Sequence, residues 1–84
     1  MNKSDFPHRS FFHTDLACLM YHGKMSVNPK QRKKYYNRLK RELDRNPSIV
    51  CKLSEFGQYN KRTRVINYRQ ALYLYDAIVG FEEE

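Results

Sequence analysis

The stretch Asn28–Arg45, NPKQRKKYYNRLKRELDR, governs how the rest of the chain is read. It holds eight of the sixteen Lys and Arg residues and two acids, Glu42 and Asp44, so it carries +6 of the formal net charge of +7. Its ends are punctuated as helix ends. Asn28 can cap the start, Pro29 suits the first helical position, and Pro47 forbids continuation past Asn46. At the helical period, Tyr35, Tyr36, Leu39 and Leu43 fall on one side, while Lys30, Lys33, Lys34, Asn37, Arg38, Arg41 and Arg45 fall on or flank the other. One side needs a core to pack on. The other suits anions.

Upstream, the residues predict a short helix over about 15–22. Thr14 can cap it, Asp15 complements the helix dipole, Leu16, Leu19 and Met20 keep the i, i+3, i+4 spacing, and Gly23 fits the position just past its end. Residues 1–11 read as a loose N-terminal arm, anchored by Phe11 and Phe12. Gly23–Val27 is then a brief turn between two helices, with Val27 placed as an apolar plug before the second.

Downstream, the β-branched run Ile49–Leu53 suits a strand, Ser54–Lys61 is turn-rich, and Arg64–Asn67 suits a second strand. Together these predict a β-hairpin whose tip, within 54–64, bears Tyr59, Lys61, Arg62 and Arg64. Asn67 and Gln70 have capping-box spacing and open a third helix over about 68–79, with a broad apolar face from Ala71 to Val79. That face serves either the core or a homodimer contact. Glu82–Glu84 form an acidic tail.

Eighty-four residues fit one small domain, here a core over 12–80 between the arm and the tail, and leave no room for a two-lobed enzyme with a deep cleft. The expected class is α+β, mainly α, in the order helix, helix, hairpin, helix. No apolar run is long enough to span a bilayer, and the first residues lack the pattern of a secretory signal. The chain is therefore expected in the cytoplasm, with Cys18 and Cys51 reduced and buried, and not at a membrane. His8, His13 and His22 are not spaced with the cysteines as a tetrahedral zinc site requires, and no acid pair or activated nucleophile stands out. No metal, cofactor or catalytic activity is expected.

In residues 12–79 the layout resembles winged helix-turn-helix modules, and within them MerR-type regulators and phage excisionases. The resemblance is carried by Leu16-Ala17 with Gly23, by Arg32-Lys33-Lys34-Tyr35-Tyr36, and by RTRVINYRQALYLYDAI from Arg62 to Ile78. The link between the first two helices is longer, and the second helix itself longer, than that pattern has. The resemblance implies double-stranded DNA as partner, with the second helix in the major groove and the hairpin tip on the backbone.

From residue chemistry, Lys33, Lys34 and Arg41 are candidates for phosphates, and Arg32, Asn37 and Arg38 for base edges. Lys30 and Arg45 extend the basic face, and Tyr59, Lys61, Arg62 and Arg64 supply a second basic element. Tyr35, Tyr36, Tyr68 and Tyr75 are expected to pack, leaving Tyr59 as the one tyrosine placed for stacking. Two other partners suit the same charge: an acidic protein surface, as for a phage-type inhibitor or adaptor, and RNA.

Overall fold

Helix α2 (Pro29–Arg45) begins with Pro29 at its first position and the Asn28 side chain accepting from the Gln31 N–H at 2.9 Å. It is the longest element of the computed structural model, which describes residues 1–25, 27–60 and 62–82. Along it Leu39 is buried, Arg32, Tyr35, Glu42 and Leu43 are half-buried, and the remaining positions face solvent. Helix α1 (His13–His22) packs against that inner side more extensively than any other pair of elements meets. It starts two residues earlier than expected. Phe12, in extended backbone, occupies the cap position without a capping side chain, and Thr14 lies within the first turn. Gly23 ends the helix as expected: its φ of 85° is left-handed, and its N–H reaches the Cys18 and Leu19 carbonyls. Leu16 through Met20 are all buried, so α1 puts five consecutive residues into the core.

The class is α+β and mainly helical, with four α-helices and one two-stranded antiparallel sheet among the described residues. Two features of the expected hairpin differ. Residues 49–53 are not a strand: Pro47–Leu53 forms a short helix, α3. Pro47 stops α2 and, at the first position of α3, starts the next helix, with the Asn46 carbonyl accepting from the Ile49 and Val50 N–H groups. The local β preference of Ile49 and Val50 yields because helical spacing carries Leu53 into full burial. The sheet therefore does not pair 49–53 with 64–67. Strand β1 (Phe11–Phe12) pairs with β2 (Val65–Ile66), Phe11 opposite Ile66 and Phe12 opposite Val65. Alternation buries Phe11 and Ile66 and leaves Phe12 and Val65 outside.

The N-terminal residues are not a loose arm. Phe6 is 1 % exposed, with the rings of Phe11, Tyr68, Tyr75 and Phe81 centred between 5.4 and 6.0 Å away. Fully burying a phenylalanine contributes roughly 3 kcal/mol, which a chain this small needs. Asn2 forms a bridge with Glu82, whose N–H donates to the Met1 carbonyl, so the start of the expected acidic tail is paired; Glu83 and Glu84 lie outside the described residues. Cys18 is buried as expected, but Cys51 is exposed, because the helix turns it away from Leu53.

Helix α4 (Tyr68–Ile78) opens with the capping box read from its sequence. Asn67 Oδ1 accepts from the Gln70 N–H at 2.8 Å, and Gln70 Oε1 accepts from the Asn67 N–H at 3.0 Å. Gln70 is buried, and its Nε2 donates to the carbonyls of Leu53 and Gly57, both at 3.1 Å. Asn67 Nδ2 donates to the Phe56 carbonyl at 2.9 Å. This junction ties α3 and the loop after it to the start of α4. Gly57 is required there, since a Cβ would stand 2.5 Å from Asn67 Nδ2. Ala71, Leu74 and Tyr75 of α4 go into the core, leaving Val79 as the exposed apolar residue at its end.

Candidate nucleic-acid interface

Of the residues singled out on α2, Lys30, Lys33, Lys34, Asn37, Arg38, Arg41 and Arg45 are exposed, and Lys40 joins them. Among the described residues no carboxylate forms an ion pair with any of these seven lysines and arginines. A helix of this length carries them over about 25 Å, at 1.5 Å per residue. Arg38 is the one with a second engagement: its guanidinium lies over the Tyr21 ring, 4.4 Å from the centroid.

Arg32 stands apart. It is half-buried, donates to Asp15 Oδ1 at 2.6 Å and to the Met25 carbonyl at 2.9 Å, and so clamps α2 to α1 and to the link between them. That engagement withdraws it from the group expected at base edges. Its pKa is raised, first by the hydrogen bond to Asp15. Tyr35 is half-buried beside His22 and Tyr21, as a packing tyrosine.

The second basic element is a structured segment rather than a hairpin tip. Asn60 N–H donates to Thr63 Oγ1 at 2.9 Å and Asn60 Oδ1 accepts from Arg62 N–H at 2.8 Å, which ties Asn60 to Arg62 and Thr63 in a turn at Arg62. His13, at the start of α1, fixes both sides of this turn. The Arg64 carbonyl can only accept, so His13 Nδ1–H donates to it at 3.1 Å, and Tyr59 O–H then donates to Nε2 at 3.0 Å. Burial pushes the His13 pKa down, and the bond to Arg64 opposes that shift. Tyr59 is thereby half-buried and hydrogen-bonded, so it does not offer the free ring expected of a stacking platform; burial also raises its pKa. Arg62 and Arg64 are exposed, and their guanidinium groups have no partner among the described residues. Lys61 lies outside the described residues.

Between this segment and α2 runs a continuous depression. Its first part is a cleft of about 560 Å³ lined by Phe12, His13, Thr14, Tyr36, Arg62, Thr63 and Arg64. Its second part, about 830 Å³, has an apolar floor that includes Leu39, Leu43, Pro47 and Val50, and shares His13, Tyr36 and Thr63 with the first. The sequence pattern predicts packing for Tyr36 and an anchoring role for Phe12. Tyr36 is instead 37 % exposed and Phe12 56 % exposed, at the mouth of the cleft. The doublet Phe11-Phe12 carried a signal for this, because consecutive residues of a strand face opposite ways. Among the described residues no group of histidines, cysteines and acids is arranged to hold a metal ion, and no helix is long and apolar enough to cross a membrane. Comparison of the chain with protein-family models, with curated proteins and with solved structures finds no match, so the surface is read from its own geometry.

Proposed function

We propose that the protein binds double-stranded DNA through the outer face of α2, with the 59–64 segment as a second contact on the backbone. The observation that carries this reading is the separation of charge on α2. Seven lysines and arginines face solvent without an acidic partner among the described residues, while Arg32, which has one in Asp15, is turned inward. A helix that needed charge only for solubility would mix signs along its face. Lys30, Lys33, Lys34, Arg41 and Arg45 neutralise phosphates; Asn37 and Arg38 are the side chains left for base edges in the major groove. On this reading Arg62 and Arg64 play the part that a wing plays beside a recognition helix, without the hairpin that the winged helix-turn-helix resemblance implies. A regulator of transcription or of recombination has this design, and a second copy docked on α4 would let two α2 helices read two half-sites.

The test is fluorescence anisotropy with duplex DNA and with structured RNA as a function of salt. Binding to the duplex is expected to weaken linearly on a log–log plot, by about 0.9 per phosphate contacted, and RNA is expected to compete poorly. Duplex binding that survives Lys33→Glu with Lys34→Glu would overturn the reading. Preference for RNA would redirect it to that nucleic acid, and absence of any nucleic-acid binding would leave an acidic protein surface as the partner.

A further inference from the structure

We propose that the cleft between Phe12, Tyr36, Arg62 and Arg64 receives one unpaired nucleotide, its base against the two rings and its phosphate at the two guanidinium groups. The inference rests on the nucleic-acid reading of α2 and adds the kind of nucleic acid preferred: a duplex interrupted by an extrahelical nucleotide.

Four large apolar side chains are exposed among the described residues, and three of them gather here. Phe12 and Tyr36 line the cleft, and Val65 is the cross-strand partner of Phe12. Exposed rings collected beside two arginines that have no partner among the described residues are the combination that binds a nucleotide outside a stack, because every base offers a π-face and every nucleotide a phosphate. A base inside a duplex has both faces covered and cannot use them. The cleft, at about 560 Å³, lies within the size range of small-ligand sites. It is also assembled before a ligand arrives: His13 holds the Arg64 backbone, and Thr63 closes the turn that presents Arg62. Such preorganisation lowers the entropy lost on binding. Placement links the cleft to α2. Tyr36 is three residues from Lys33 and four from Lys40, so it stands in line with them on the helix surface. A duplex lying on those lysines brings an extruded nucleotide to Tyr36.

The experiment compares a short, fully paired DNA duplex with the same duplex carrying one extra central nucleotide, 2-aminopurine, on the wild-type chain and on Phe12→Ala with Tyr36→Ala. Both rings are exposed, so the variant keeps its core. The bulged duplex is expected to bind the wild type about tenfold tighter, with quenching of the 2-aminopurine, in keeping with base–aromatic stacking. The double variant is expected to lose both preference and quenching while holding the paired duplex as before, and Tyr36→Phe to retain them. Equal affinity of the wild type for the two duplexes overturns the nucleotide site and leaves the α2 reading standing. A preference that survives loss of both rings overturns it too, as does displacement of the bulged but not the paired duplex by an acidic peptide rich in aromatic residues. If the wild type binds neither duplex, the α2 reading has failed first, and the site falls with it.

Discussion

At the junction of α3 and α4, Gln70 is 2 % exposed and each of its side-chain atoms that can hydrogen-bond does so, to Asn67, Leu53 and Gly57. On the outer face of α2, seven cations stand in solvent with no carboxylate partner among the described residues. The first region satisfies its polar groups internally, as burial demands. The second leaves its charges in solvent, where the proposed partner would meet them. Stability and binding are therefore separable in this molecule, and substitutions in the two regions are expected to change different measurements.

The largest effect belongs to the junction. Gln70→Ala removes two donated bonds and one accepted bond at a buried position, leaving the Leu53 and Gly57 carbonyls without that donor. Loss of roughly 3 kcal/mol of unfolding free energy is expected in urea titrations, with DNA affinity of the folded protein unchanged. If affinity fell along with stability, the two regions would not be independent. Next comes Lys33→Glu with Lys34→Glu. Duplex affinity is expected to fall roughly a hundredfold at moderate salt, while the urea midpoint stays where it was.

Arg32 and Arg41 sharpen the comparison within a single helix. Arg32→Ala leaves Asp15 without its ion-pair partner at the α1–α2 contact, and about 1–2 kcal/mol of stability is expected to go, with no change in the salt dependence of binding. Arg41→Ala is expected to do the reverse: stability holds, and the slope of log affinity against log salt falls by about 0.9. A loss of slope with Arg32→Ala would return that residue to the face proposed to contact DNA.

The same separation explains what could be read without coordinates. Helix α2 was legible because Asn28, Pro29 and Pro47 mark its ends locally, and the Asn67–Gln70 box and Gly23 are likewise local devices. What was not legible depends on residues far apart in the chain. Nothing in Arg32-Lys33-Lys34 distinguishes the arginine that will meet Asp15 from the lysines that will not. Ile49–Leu53 has the composition of a strand, and only the core that Leu53 enters makes it a helix. The two-stranded sheet was expected between neighbours, yet β2 pairs with the doublet before α1. Phe6, taken for part of a loose arm, is buried by α4 and Phe81 at the other end of the chain. The outer basic face needed only the period of one helix. The cleft needed β1, α2 and the 59–64 segment together, which is why Phe12 and Tyr36 were placed elsewhere.

The smallest expected effect lies outside both regions, at His13, which holds Tyr59 and the Arg64 carbonyl. Burial lowers its pKa in the folded state, so between its folded and unfolded values the unfolded chain holds more protons. Stability is therefore full above about pH 6.5 and declines as the pH falls through that value towards the folded pKa. Protonation also removes the lone pair on Nε2 that accepts from Tyr59, although the donation to the Arg64 carbonyl survives. Tyr59 can turn and accept instead, so the segment loosens rather than detaches. Urea midpoints at pH 7.5 and 5.5 should differ more for the wild type than for His13→Gln. His8 and His22 remain in both proteins, so the difference isolates His13. A pH dependence that is the same in the two would mean that the ring at position 13 is not held neutral by its surroundings.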